Sequence, residues 1–109
     1  MQKLELNNVI LDIKTILSQN PAPVKRIGVF GSIANGKIHK DSDIDIAIEY
    51  DTGEDYGKYN FDSFLKFCEI CEILSEGMAE IYKRKIDVVE IEERPGSFLY
   101  DIQGEIIWI

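Results

Sequence analysis

The stretch from Asp43 to Ile48 most constrains the fold, because acidic and aliphatic residues alternate along it. A period of two is typical of a β-strand, in which residues i and i+2 share a face and lie about 6.5–7 Å apart. Ile44, Ile46 and Ile48 therefore predict one buried face. Asp43 and Asp45 predict two carboxylates on the other face, and an ordinary solvated face is the simplest interpretation of that pair alone.

The rest of the chain alternates between helical and extended patterns. Apolar spacing predicts helices over Leu4–Leu17 and from Phe61 to about Tyr82. Runs rich in β-branched residues predict strands at Val24–Phe30, Ile44–Tyr50 and Lys85–Ile91. The apolar end Glu105–Ile109 predicts an edge strand or, if exposed, an anchor for a partner protein. We therefore expect an α/β (α+β) fold, a single domain over residues 1–109 with a mixed sheet of three to four strands flanked by helices.

Charge and composition limit the class of partner. A net charge of −8 argues against direct binding of nucleic acid, whose phosphates would be repelled. The first residues, Met1 to Glu5, lack the pattern of a secretory signal, and no apolar run approaches membrane-spanning length. The sequence therefore predicts a cytoplasmic protein with no membrane contact.

The two cysteines, Cys68 and Cys71, lie three residues apart inside the long helical pattern. Such a pair suggests zinc or redox chemistry. Zinc needs about four ligands, however, and the single histidine, His39, lies far off in a polar loop. We interpret both cysteines as small buried apolar residues, with redox chemistry as the second interpretation.

Three further features surround the alternating strand. Gly31 and Ser32 directly follow an apolar strand and open a short predicted helix, where backbone amides and a hydroxyl can hold phosphate oxygens. The polar loop after this helix, Gly36–Ser42, can fold back and bring those groups to Asp43. Asp87 interrupts the apolar third strand, which is costly unless the carboxylate is solvated, bound to a cation or paired with a basic neighbour. Taken in this order, the features predict a site for a metal and a nucleotide.

The chain resembles the minimal nucleotidyltransferases. The residues that carry the resemblance are Gly31-Ser32, then Ser42-Asp43-Ile44-Asp45-Ile46, then Asp87 in a later strand. The minimal nucleotidyltransferases are the smallest members of the DNA polymerase β-like superfamily. The resemblance implies an antitoxin of the type encoded beside a HEPN toxin, and some relatives transfer AMP to a tyrosine of that toxin. By the same resemblance, the mixed sheet is that of a nucleotidyltransferase fold.

The resemblance also assigns roles to residues. It implies that Asp43, Asp45 and Asp87 are catalytic and bind two Mg²⁺ ions, for which Mn²⁺ can substitute. It implies that Gly31, Ser32 and Ser42 bind the nucleotide, with ATP as the donor. One departure concerns Ile33 and Asn35, which stand where relatives often carry arginine or another large polar residue; Lys37, His39 and Lys40 follow in the loop.

Three functions follow, in order of preference. The first is Mg²⁺-dependent transfer of a nucleotide, AMP from ATP, to a hydroxyl of a partner protein, a HEPN-type toxin. The second is a binding antitoxin without catalysis, which acts by occluding its partner. The third, transfer to a small molecule, ranks last, because such enzymes usually carry an additional acceptor domain.

Overall fold

The computed structural model describes residues 3–20, 24–50, 61–91 and 103–109. The helices are α1 (Leu6–Gln19), α2 (Gly31–Asn35) and α3 (Phe61–Tyr82), with a short 3-10 turn at Gln103–Glu105. The strands are β1 (Val24–Phe30), β2 (Ile44–Tyr50), β3 (Ile86–Glu90) and β4 (Ile107–Trp108). The bounds of β1, β2 and α3 coincide with the predicted ranges. The sequence also predicts a turn at 92–96 and a short helix after it, up to Gly104; the turn and most of this helix lie outside the described residues.

The strands form one four-stranded sheet in the order β3-β2-β1-β4. β1 runs antiparallel to β2 and to β4, whereas β2 and β3 are parallel. A parallel neighbour requires a long crossover, and α3 lies in that connection. The predicted mixed sheet is confirmed. The C-terminal segment forms an edge strand, which is one of the two interpretations of its apolar sequence.

One face of the sheet packs on the helices. Its aliphatic side chains join buried residues of α1, α2 and α3 in the main core, which comprises Val9, Ile13, Ile27, Val29, Ile33, Ile44, Ile46, Ile48, Phe67, Ile70, Leu74, Met78 and Tyr82. Burying each large side chain contributes about 1.5–3 kcal/mol. The alternation of β2 directs Asp45, Ala47 and Glu49 to the opposite side, which we call the second face of the sheet.

The buried stripe of α3 differs from the prediction that both cysteines are buried. Ile70 and Tyr82 are buried, whereas Cys68 is exposed and Cys71 is half-buried. The predicted burial of Cys68 is therefore wrong: the stripe lies further round the helix, where the hydroxyl of Tyr82 donates a hydrogen bond of 2.6 Å to Asp12 of α1. Burial raises the pKa of the Cys71 thiol to about 11, which keeps it protonated at neutral pH.

Gly77 lets the two long helices approach closely. A Cβ atom at this position would lie 3.0 Å from Cδ1 of Ile16, tighter than an ordinary contact. The glycine therefore serves packing between α1 and α3, and the helix continues through it to Tyr82. Among the described residues, no helix has the length and apolar character needed to cross a bilayer.

Candidate active site

Two aspartates from different strands meet on the second face of the sheet. The parallel register of β2 and β3 sets Asp45 directly beside Asp87. Both carboxylates are half-buried. Burial raises the pKa of Asp45, and the negative charge of Asp87, the charge of Asp43 and a hydrogen bond with Asp87 raise it further. The carboxylates at this end of the sheet therefore repel one another when all of them are ionised.

Asp43 lies just before β2 and is also half-buried. Its negative charge is one of the causes of the raised pKa of Asp45. In the ranges that the structure describes, no three acidic, thiol or imidazole side chains are already gathered as a metal cluster.

Gly31 brings the turn between β1 and α2 against the Asp45 carboxylate. Its φ angle of +70° lies in the left-handed region, which glycine adopts without steric cost. A Cβ atom at this position would clash with Oδ2 of Asp45. Phe30, the residue before it, is paired with Asp45 across the β1–β2 ladder. The start of α2, with half-buried Ser32 as its second residue, is thus close to the aspartate pair.

Ser42 lies at the other end of the loop and is 3% exposed. Its hydroxyl accepts a hydrogen bond of 2.8 Å from the His39 amide, and its own amide donates one of 3.0 Å to the His39 carbonyl. The hydroxyl and the amide of Ser42 thus close a tight turn before Asp43. Its role in nucleotide binding stays a prediction.

The two positions that depart from the family pattern bring no positive charge to the site. Ile33 is 1% exposed and belongs to the core. The Asn35 side-chain oxygen accepts a hydrogen bond of 3.0 Å from the Lys37 amide and so shapes the start of the loop.

Two basic residues before β3, Arg84 and Lys85, make contacts at this end of the sheet. The ammonium group of Lys85 lies 3.6 Å from Asp87, the pairing that one interpretation of that aspartate foresaw. Arg84 hydrogen-bonds to carbonyl groups of the turn before Asp43. Its place at the end of α3 favours an ordinary partner for the helix dipole over a contact with phosphate or a partner protein. Nothing in the sequence pattern indicates its distant acceptors.

The donor set fits a hard divalent cation. Mg²⁺ prefers carboxylate oxygens, keeps several of its waters and takes its remaining ligands from phosphate groups. Asp45 and Asp87 supply two adjacent carboxylates, and Asp43 lies near enough to perturb Asp45 electrostatically. A cation between them would remove the repulsion that, in addition to burial, raises the pKa of Asp45.

Comparisons with known proteins agree with this geometry. The family model described as polymerase beta, nucleotidyltransferase matches residues 12–109. A Methanocaldococcus jannaschii protein with the provisional name protein adenylyltransferase MJ1379 is 33% identical over 85 residues, which cover 78% of this chain and 74% of that protein.

Solved structures share the fold at low sequence identity. One described provisionally as a minimal nucleotidyltransferase covers 98% of both chains, with 19% identity and a TM-score of 0.63. A chain from a toxin-antitoxin structure with AMP-PNP is 20% identical with a TM-score of 0.56, over 93% of this chain and 69% of that one. A chain from a mutant of the toxin-antitoxin MntA-HpeT is 21% identical with a TM-score of 0.59, over 96% and 72% of the two chains. By sequence and by fold, the chain belongs to the polymerase beta nucleotidyltransferase family.

Proposed function

We propose that this protein transfers AMP from ATP to a hydroxyl group of a partner protein, with Mg²⁺ as the cofactor, and that the partner is a HEPN-type toxin. The observation that carries the proposal is the meeting of Asp45 with Asp87 beside the glycine turn at Gly31. The provisional name of the archaeal relative and the toxin-antitoxin origin of two structural neighbours support the choice of acceptor.

The reaction is a displacement at phosphorus. The acceptor oxygen attacks the α-phosphorus of ATP, the bond from that phosphorus to the bridging oxygen breaks, and pyrophosphate leaves. The products are an AMP ester of the protein, pyrophosphate and the proton of the hydroxyl. Mg²⁺ held by Asp43, Asp45 and Asp87 would lower the pKa of the attacking hydroxyl and neutralise charge on the phosphates.

The chain's own groups position the reactants. Gly31 allows the backbone to pass directly beside the Asp45 carboxylate, so that phosphate oxygens held by α2 amides would lie next to the carboxylates. Lys85 places a positive charge 3.6 Å from Asp87 and partly offsets the repulsion there. Positioning and charge stabilisation are the main contributions of a protein to phosphoryl transfer.

The test is transfer of labelled AMP from ATP to the product of the neighbouring gene in the presence of Mg²⁺. We expect label in the partner, release of pyrophosphate, and loss of both after addition of a chelator. Asp43→Asn should reduce the rate roughly 10³-fold, because a bound cation stabilises the transition state by several kcal/mol.

Asp41→Asn is the matched control. Asp41 is exposed, lies two residues before Asp43, and its backbone amide rather than its carboxylate bonds to His39. The control should transfer AMP at the wild-type rate. An unlabelled partner with the wild-type protein, or equal labelling by Asp43→Asn, would contradict the proposal.

One observation favours a second candidate, neutralisation of the partner by occlusion. Ile33 is buried in the core, so the position where relatives often carry arginine adds no charge for a triphosphate. In this case the double variant Asp43→Ala/Asp45→Ala would still neutralise the partner. Deleting the C-terminal segment is a poor test, because Ile107 and Trp108 pair with β1 and Ile106 is buried. A double variant that no longer neutralises the partner would exclude occlusion.

A further inference from the structure

Arg84 connects two segments that carry the site. It lies between the end of α3 and the start of β3. A single nitrogen of its guanidinium group, Nη1, donates to the carbonyl oxygens of Lys40 at 2.7 Å, Ser42 at 3.0 Å and His39 at 3.3 Å. All of these acceptors belong to the turn that leads into Asp43.

The turn points its carbonyl groups at a common position. Ser42 and His39 close it through a reciprocal pair of hydrogen bonds, the amide of each donating to an oxygen of the other. The Asp41 amide donates to Nδ1 of His39 at 3.2 Å. Carbonyl dipoles that converge repel one another, and a positive group at their meeting point stabilises the arrangement.

The same two segments are joined again on the other side of Asp43. The Ile44 amide donates to the Lys85 carbonyl at 3.1 Å, and the parallel ladder of β2 and β3 then continues through Asp45 and Asp87. Asp43 is therefore flanked by an Arg84 contact on Ser42 and by a backbone contact at Ile44.

We propose that Arg84 is a positioning residue, which fixes Asp43 relative to Asp45 and Asp87 by binding the carbonyl groups of the preceding turn. The part of this inference that concerns metal binding rests on the proposed function. Arg84 acts through the backbone of the turn, because the hydrogen bonds of its Nη1 go to carbonyl groups there.

Two other roles for Arg84 fit the contacts less well. A partner of the α3 dipole would bond to the last carbonyls of that helix, whereas the acceptors of Arg84 lie 42 to 45 residues away in sequence. A phosphate ligand would point its donors outward, yet Nη1 is engaged with the turn. Lysine is a compact point charge without the planar fork of arginine and so would not reproduce these contacts in full.

The experiment compares Arg84→Ala and Arg84→Lys with the wild type. Lys66→Ala is the matched control, since it removes the same charge from an exposed position on α3. One readout is the affinity for Mn²⁺ measured without nucleotide. The other is hydrogen exchange of the Ser42 and Ile44 amides, both of which donate hydrogen bonds at this junction.

We expect Arg84→Ala to weaken Mn²⁺ binding about 10–100-fold, as is typical when a group that orients a metal ligand is lost. Ser42 and Ile44 should exchange faster in this variant, and millimolar guanidinium should restore part of both properties. Arg84→Lys should fall between the alanine variant and the wild type, and it serves in its place if the alanine variant does not fold. Lys66→Ala should behave as the wild type in both readouts.

Wild-type Mn²⁺ affinity and amide exchange in both Arg84 variants would overturn the inference. Faster exchange of the two amides without any loss of Mn²⁺ affinity would also overturn it. In that case Arg84 would hold the turn, but the turn would not affect metal binding. If the wild type binds no Mn²⁺ without nucleotide, the comparison is repeated with a non-hydrolysable ATP analogue. No binding in either case contradicts the proposed function, and amide exchange then decides alone whether Arg84 holds the turn.

Discussion

Two acidic residues of one strand, Asp45 and Glu49, have contrasting surroundings on the second face of the sheet. Glu49 is only 4% exposed, and its carboxylate pairs with the guanidinium group of Arg26 and lies 3.4 Å from the ammonium group of Lys25. Asp45 is less buried but lies beside another acid, Asp87, so that burial and like charge together raise its pKa.

The difference separates an acid that stabilises the fold from acids that are suited to an external cation. Arg26 also stacks on the Trp108 ring, 4.1 Å from its centroid, and so links Glu49 to the edge strand β4. At the Asp45 end, Lys85 is the basic residue whose charge opposes the raised pKa, and its side chain is 70% exposed. Charge is thus compensated inside the protein at the Glu49 end and left partly uncompensated at the Asp45 end.

The largest expected effect is stabilisation by ligand. At roughly 100 times its dissociation constant, Mn²⁺ with a non-hydrolysable ATP analogue should raise the free energy of unfolding by about 2.7 kcal/mol. Asp45→Ala should abolish most of the increase in Tm, whereas Glu49→Gln should retain it. If Tm increases as much in the Asp45 variant as in the wild type, the ligand binds elsewhere. The contrast between Asp45 and Glu49 would then have no bearing on ligand binding.

Breaking the ion pair at the Glu49 end should cost somewhat less. Glu49→Ala leaves the Arg26 charge without its carboxylate, and such losses cost about 3–5 kcal/mol when both partners are fully buried. The Arg26 side chain is 37% exposed, so we expect about 2 kcal/mol, measured by urea unfolding.

An apolar pair supplies the control for this loss. Arg26→Met with Glu49→Leu removes both charges at once, which in other proteins is often close to neutral. The double variant should therefore recover much of the stability that Glu49→Ala loses. Equal losses in the two variants would show that packing, rather than the unpaired charge, dominates at this end.

The smallest expected effect is a gain in stability, in contrast to the loss expected for Glu49→Ala. Because the fold raises the pKa of Asp45, its ionisation opposes folding at neutral pH, and metal-free Asp45→Asn should melt at a slightly higher temperature than the wild type. The gain should shrink as the pH falls and vanish below about pH 4, the ordinary pKa of aspartate, where Asp45 is protonated in both states.

Exposed Asp41 again provides the comparison, since Asp41→Asn removes one charge without touching the aspartate pair. Its Tm should follow the wild type across the same pH range. A lower Tm for Asp45→Asn than for the wild type at pH 7, without metal, would mean that repulsion at this end is already relieved within the protein.

Local patterns sufficed for much of the fold. The bounds of β1, β2 and α3 follow from β-branched runs and from helical spacing, and the alternation of β2 separates its buried isoleucines from Asp45. The buried stripe of α3 was less accessible, because several apolar stripes are possible on a helix of 22 residues. Contacts with α1, such as the one between Tyr82 and Asp12, select among them.

Contacts between residues distant in sequence limited how much of the candidate site could be predicted. The order of Gly31, Asp43, Asp45 and Asp87 predicts a common location, and the register places Asp45 beside both Gly31 and Asp87. The partners of Arg84 and the pairing of Glu49 with Arg26 depend on turn geometry and strand register. Neither is encoded in a short motif, so the residues that hold the site were harder to predict than those proposed to act in it.

The parallel pairing of β2 with β3 also fixes when the site can exist during synthesis. Asp43 and Asp45 leave the ribosome before α3, and Asp87 follows only after that whole helix has been translated. A nascent chain that stops before β3 carries only part of the carboxylate set and no neighbouring strand to align it. The proposed ability to bind a divalent ion should therefore arise only late in synthesis.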